Sequence, residues 1–196
     1  MDARWILLML GAYLLGSVPF GLLLARFGAG IDPRQEGSGN IGATNVARLA
    51  GMRMGVLTLL LDVAKGTVPT MLALDWLDPS RAALVGLCAF AGHVWPLYLG
   101  FKGGKGVATA LGVLLAWSQL ACLLVVGVFG LIAWAKGYVS LASMLGMASA
   151  PVWLLVLDLP SAFVLASVVI ALVVVWRHRE NIARLRQGLE PSFRKS

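Results

Sequence analysis

Of the chain's 196 residues, 59% are hydrophobic and only 13% charged, with 16 Lys and Arg against 9 Asp and Glu for a net charge of +7. An ordinary soluble domain carries about 25% charged residues, so a chain this poor in charge cannot clothe its own surface in polar groups. A mean hydropathy of +0.86 places it in a bilayer, where lipid tails ask for apolar side chains.

The first element is Trp5–Ala25, 21 residues without a charge, close to the ~20 needed to cross the hydrocarbon core. Asp2 and Arg4 make a weak leader region and no small-x-small cleavage site closes the run, so it reads as an uncleaved helix. A loop with Arg26, Arg34, Arg48 and Arg53 follows. The next apolar stretch, Arg53–Leu77, is interrupted by Asp62 and Lys65, whose i, i+3 spacing predicts a salt bridge. Gly51 and Gly55 are spaced as a small-xxx-small packing pair. Ala82–Phe101 is the third span, and Lys102 and Lys105 follow it.

Val107–Ala135 has 29 uncharged residues, too many for one straight crossing. A single helix there would send Lys136 and the basic tail to the side opposite the other basic loops. A break near Trp117-Ser118-Gln119 returns them to one side. The pieces are about 11 and 16 residues, and at ~1.5 Å per residue the first is too short to span alone. Tyr138–Leu157 and Leu159–Trp176 complete the set, followed by Arg177, Arg179, Arg184, Arg186, Arg194 and Lys195. The expectation is an all-α, polytopic membrane protein of about seven transmembrane helices, with the N-terminus outside and the basic loops and C-terminus cytoplasmic. One domain over 1–196 is expected, with 181–196 as a basic tail. Cys88 and Cys122 lie inside apolar runs and read as core residues, without metal-ligand spacing.

Three polar segments carry the chemistry. In Asp32–Arg48, Gly37, Gly39 and Gly42 match G-x-G-x-x-G, but the dinucleotide motif needs a preceding strand and here a membrane helix precedes it. What remains is a turn whose glycines let backbone N–H groups converge on an anion. Ser38, Asn40, Thr44 and Asn45 add neutral donors, and Arg48 a bidentate phosphate partner. A flexible turn with capping Thr and Asn is the competing reading.

The second segment, Gly100–Thr109, is not a Walker loop, since Leu99 and Gly106 occupy the wrong positions. Its glycines flank Lys105 at a helix start, which suits an anion; a simple inner-face anchor is the alternative. The third is Trp176–Asn181, with His178 and Asn181 where the last helix leaves the membrane. Ser140 and Ser143 near the start of the sixth helix are either site residues or packing hydroxyls. His93 reads as a hydrogen-bonded interface histidine. No nucleophile elbow or metalloprotease motif is present, and no carboxylate base is evident.

In order along the chain, Gly37–Val46 with Arg48, Gly103–Thr109 and His178–Asn181 resemble the three cytoplasmic motifs of the bacterial acyl-phosphate:glycerol-3-phosphate acyltransferases. Asp62–Gly66 and Gly92–Pro96 are also similar to that family. The resemblance implies transfer of a fatty acyl group from acyl phosphate to the 1-hydroxyl of sn-glycerol 3-phosphate. The products would be lysophosphatidic acid and phosphate, the first step of phospholipid synthesis. It implies a seven-helix fold in the bacterial inner membrane, with the site on the cytoplasmic face. Neither a metal nor a cofactor is expected, and the partners are the two substrates and membrane lipid rather than nucleic acid. By motif, Ser38, Arg48, Lys105, His178 and Asn181 are the expected catalytic residues. Gly39, Asn40, Gly42, Thr44, Asn45, Gly103, Gly104 and Ser143 are the expected substrate-binding ones. A transporter or channel for a phosphorylated solute is the rival from another class, and a lipid-binding scaffold the third.

Overall fold

A computed structural model describes residues 4–194, and every regular element among them is helical. Asp2, expected on the outer side, and Lys195, of the basic tail, lie outside the described residues.

The first apolar run is broken. α1 (Arg4–Ser17) stops and α2 (Phe20–Ala29) starts around Val18-Pro19, because proline has no N–H for the preceding turn and disfavours helical backbone at the residue before it. The single helix expected over Trp5–Ala25 is corrected to an interrupted one, which with its break spans 26 residues from Arg4 to Ala29. The break frees a carbonyl, and a lysine satisfies it. Lys65 Nζ, in α4 (Met52–Trp76), donates to Val18 O at 2.9 Å and pairs with Asp62 Oδ1 at 2.9 Å, the bridge that the i, i+3 spacing predicts.

α3 (Ala43–Ala50) is a short helix packed on the start of α4. Gly55 lies so close to Ala47 that any Cβ would overlap it, whereas nothing lies within 4 Å of a Cβ on Gly51. The expected small-residue pair is therefore half right: Gly55 packs, and Gly51, at φ +89°, turns the chain from α3 into α4. α5 (Pro79–Val94) begins on an Asp78 cap, whose carboxylate accepts from the Ser80 and Arg81 N–H groups at 3.0 and 3.2 Å. It runs beside α1. The Arg81 guanidinium sits 5.8 Å over the Trp5 ring at one end. At the other, the Tyr13 hydroxyl donates to Trp95 O at 2.7 Å and Ser17 Oγ accepts from Leu97 N–H at 3.2 Å.

The predicted break at Ser118 is present. It separates α6 (Val107–Trp117) from α7 (Gln119–Lys136), and Ser118 Oγ caps α7 by accepting from Ala121 N–H at 3.2 Å. α6 has 11 residues and, at ~1.5 Å per residue, covers about half of a ~30 Å hydrocarbon core. It lies against α4, where Thr67 Oγ1 donates to Gly112 O at 2.9 Å.

The chain divides after Ala116 into two compact units. The second holds α7, α8 (Val139–Val156), α9 (Ser161–Arg177) and α10 (Arg179–Arg186), with α8 packed on both α7 and α9. Trp117 and Phe163 stack face to face at 5.0 Å within it. α9 and α10 meet at a 55° bend at His178.

Among the described residues five segments are long and apolar enough to cross a membrane: α1 with α2, α4, α5 with the 3₁₀ turn Leu97–Leu99, α7, and α8. A sixth is counted when α9 and the bent α10 are taken as one. Phe27, Trp134, Leu155 and Leu172 are among the large apolar side chains left exposed, as a lipid-facing surface requires.

Candidate functional site

In the first unit the glycine-rich loop is tied down by Asn45, 2% exposed in the first turn of α3. Its Oδ1 accepts from Ser38 N–H at 2.9 Å. Its Nδ2 faces three carbonyls, Pro33 O at 3.0 Å, Glu36 O at 3.2 Å and Asn40 O at 2.9 Å. Gly37, at φ +62°, lies directly over the Asn45 amide with no room for a Cβ. Asn40 Oδ1 accepts from Gly42 N–H at 2.8 Å, an Asx-type turn. The sequence reading offers Asn40 and Asn45 as ligand donors; Asn45 turns its Nδ2 onto the loop's own carbonyls, while Asn40 engages its Oδ1 acceptor within the loop.

What the loop presents outward is different. Ser38, Gly39, Thr44 and Arg48 are exposed or partly so. Thr44 and Arg48, four residues apart, share one face of α3. At the start of the loop Asp32 accepts from Arg34 at 2.6 and 2.9 Å and from Arg26 at 3.1 Å. The Arg34 hydrogen bond holds its carboxyl well below the usual carboxylate range.

The second loop rests on the end of α5. Gly104 N–H donates to His93 O at 3.2 Å, so that N–H is engaged within the fold. Cβ atoms on Gly103 and Gly104 would overlap His93 O and the His93 ring, respectively. Gly106 takes φ +82° against the Phe90 ring and turns the chain into α6. Lys105 stands half-buried between these glycines.

The second unit gathers its polar groups on a residue that the sequence reading overlooks. Glu190, its side chain 6% exposed, accepts from Ser140 Oγ at 2.6 Å, Asn181 Nδ2 at 2.6 Å and Arg184 Nε at 2.8 Å. Burial alone would raise its pKa. The three donors outweigh burial and hold the carboxyl below its ordinary value, so it is a persistent anion and a poor proton acceptor. The segment around it folds back onto the α7–α8 turn, where Phe193 N–H donates to Gly137 O at 3.2 Å. The signal in the sequence is faint: one acid among Arg184, Arg186 and Arg194, two residues after a glycine.

His178 is 3% exposed, and its Nδ1 lies 2.8 Å from Val174 O. A carbonyl only accepts, so Nδ1 carries a proton and donates it there. Asn181 follows one turn later in α10. Of the two competing serines, Ser140 joins Asn181 on Glu190, while Ser143 Oγ donates back to Val139 O at 2.8 Å.

Chemically, the first unit offers exposed Arg48 and half-buried Lys105, each beside glycine-shaped backbone suited to anionic oxygens. The second offers an imidazole held through Nδ1 and an oriented amide. An apolar groove of about 350 Å³ between α2 and α4 is lined by Phe20, Leu23, Leu24, Phe27, Met54 and Leu57.

Residues 6–188 match the family model described as glycerol-3-phosphate acyltransferase. A relative of that name from Geotalea daltonii is 50% identical over 193 residues, covering 97% of this chain and 98% of its own. One from Geobacter sulfurreducens is 50% identical over 186 residues, covering 93% and 94%. The chain is also similar to crystal structures of PlsY (YgiH), an integral membrane glycerol 3-phosphate acyltransferase. The glycerol 3-phosphate form matches with a TM-score of 0.94 and 43% identity, covering 97% and 96% of the two chains. The lysophosphatidic acid form matches at 0.91 and 43%, covering 97% and 95%.

Proposed function

The chain belongs to the glycerol-3-phosphate acyltransferase family, and from that premise we propose that it transfers a fatty acyl group from acyl phosphate to the 1-hydroxyl of sn-glycerol 3-phosphate. The hydroxyl oxygen attacks the acyl carbonyl carbon, a new ester C–O bond forms, and the C–O bond to phosphate breaks. Lysophosphatidic acid and inorganic phosphate leave. The observation that carries this reading is the glycine loop stapled from within by Asn45 beside an exposed Arg48, a fixed receptor for anionic oxygens.

An acyl phosphate is already activated, so no covalent enzyme intermediate is required. Lys105 and its neighbouring backbone stabilise the charge that develops on the carbonyl oxygen and the departing phosphate. Gly39, Gly42, Thr44 and Gly103 belong to the turns that receive the donor's phosphate, with Asn40, Asn45 and Gly104 shaping them. Ser38, Arg48 and Ser143 bind the acceptor. The hydroxyl proton goes to His178 Nε2 or to the acceptor's own phosphate, and Asn181 orients the attacking group. A His178→Ala variant with near-normal turnover and an unchanged pH profile eliminates the first route. The donor's acyl chain lies in the apolar groove between α2 and α4.

Seven crossings with the N-terminus outside, in a bacterial inner membrane, put the basic loops and the chemistry on the cytoplasmic face. The proposed acyltransferase domain covers residues 1–196. The transporter reading has no support from the relatives, which are named for acyl transfer. The test is direct: protein purified in detergent is given glycerol 3-phosphate with palmitoyl phosphate or palmitoyl coenzyme A. Product from palmitoyl phosphate alone is the expected result, and product from neither donor overturns the reading.

A further inference from the structure

Three ionisable side chains of the first unit have no part in that chemistry yet lie buried: Asp62, Lys65 and His93, none more than 4% exposed. Buried charge is costly unless it is paired. The Asp62–Lys65 pair, with Lys65 capping Val18 O, answers that cost for two of them. The third is His93. Its Nδ1 faces Asp62 Oδ1 at 3.6 Å, an electrostatic contact too long for a hydrogen bond. Its Nε2 edge faces the other way, into the space that a Cβ on Gly104 would fill. The backbone of the same residue accepts from Gly104 N–H, and Gly103 lies over that same carbonyl. At Gly104 it is the His93 ring that leaves no room for a side chain, and at Gly103 it is His93 O together with Pro96 Cδ and Val94 O. Lys105 is the next residue, and planar peptides leave only φ and ψ to absorb any shift in between.

We infer that His93, oriented by Asp62, is a positioning residue: it sets the backbone of the Gly103-Gly104 turn and, through it, the placement of Lys105 against a bound phosphate. This rests on reading that turn as a phosphate holder, as proposed above. His93 touches no substrate in this role. It acts through the loop, where a misplacement of about 1 Å can cost up to ~100-fold in rate.

The probe is inorganic phosphate, measured as an inhibitor of the full-length enzyme in detergent. Four proteins are compared: wild type, Gly104→Ala, His93→Asn and the double variant. Asparagine keeps an amide near Asp62 and removes the far edge of the ring. In wild-type background Gly104→Ala is expected to weaken phosphate inhibition about tenfold, because its methyl meets the imidazole. His93→Asn alone is expected to weaken it about threefold. With the ring gone, adding Gly104→Ala should cost less than about twofold more. That non-additivity is something a merely stabilising histidine would not produce. Equal Gly104→Ala penalties in both backgrounds, or wild-type inhibition in His93→Asn, overturns the inference. If His93→Asn does not purify folded, the same two ratios are read from His93→Ala. A wild type that forms no product refutes the functional reading itself, whereas an active wild type with additive variants refutes this inference alone.

Discussion

The first unit holds its glycine loop with one buried amide, Asn45, that grips backbone groups at most 12 residues away. The second unit holds its polar side chains with one buried carboxylate, Glu190, that reaches Asn181 nine residues back and Ser140 fifty residues back. The first arrangement fixes backbone N–H and carbonyl directions and leaves Arg48 exposed. The second fixes side chains and does so with a permanent charge. A backbone-held loop is tolerant of what its exposed side chains are and intolerant of its glycines. A side-chain-held cluster is the reverse.

The sharpest test of that contrast removes a cation, exposed Arg48 or half-buried Lys105, and leaves the staple alone. Lys105→Ala and Arg48→Ala are each expected to lower turnover about 10²- to 10³-fold, the usual scale for deleting a group that stabilises developing charge. The thermal midpoint should stay within a few degrees of wild type. Turnover of purified protein with palmitoyl phosphate, beside a melting curve, reads both. A variant that loses stability in proportion to activity breaks the distinction between what the loop presents and what holds it.

Next in size is the staple itself. Asn45→Asp keeps the acceptor for Ser38 N–H but places an anion before the carbonyls of Pro33, Glu36 and Asn40. Each buried group left without a partner costs about 1–3 kcal/mol, and a desolvated charge adds to that. Asn45→Asp should therefore be less stable than Asn45→Ala as well as nearly inactive, which chemical denaturation in detergent micelles can rank. The opposite ranking would mean that Asn45 is not a donor to that loop.

Glu190→Gln loosens the second unit by about 2 kcal/mol, the scale of hydrogen bonds to a charged group. It also lets the Asn181 amide turn, lowering turnover about tenfold. The pH dependence has a definite sign. A carboxyl whose pKa is lower folded than unfolded stabilises the fold above its unfolded value, ~4.3 for Glu. That contribution is lost as pH falls through the folded value. The clasp thus persists at neutral pH and releases only in acid. Hydrogen exchange over residues 184–194, corrected for the intrinsic pH effect, should rise in acid for wild type and already be high at pH 7 in Glu190→Gln.

These contrasts also explain what the sequence makes legible. The break at Ser118, the Asp62–Lys65 bridge and the glycine turns rest on local chemistry: a capping serine, an i, i+3 spacing, residues without Cβ. The break at Val18-Pro19 is just as local, and Pro19 signals it, but an uninterrupted hydropathy run conceals it. Asn45 is visible as a polar residue in a polar loop, while its inward direction depends on how that loop closes. Glu190 is hidden for a stronger reason. Its partner Ser140 is fifty residues away, and only the return of the tail onto the α7–α8 turn brings them together. The Ser140 and Ser143 hydroxyls divide in the same way: one donates to that distant carboxylate, the other to its own helix.

The smallest expected effect comes from a carboxylate whose arginine partners are more exposed. Asp32 accepts from Arg34 and Arg26, and the Arg34 hydrogen bond lowers its pKa, as the donors around Glu190 lower that residue's. The Asp32 arginines are 54% and 41% exposed, so water and salt screen the pairs. Exposed ion pairs contribute about 0–1 kcal/mol. The pH sign is the same, since a lowered carboxyl stabilises above its unfolded value, ~3.9 for Asp, and loses that contribution only in acid. The amplitude is what should differ. Asp32→Asn is expected to shift stability by no more than about 1 kcal/mol, a shift that about 0.5 M salt should largely erase. Glu190→Gln should keep most of its effect in that salt. An Asp32→Asn cost equal to that of Glu190→Gln and insensitive to salt would mean that the exposure of their partners is not what separates the two carboxylates, and the contrast between the units would lose its electrostatic half.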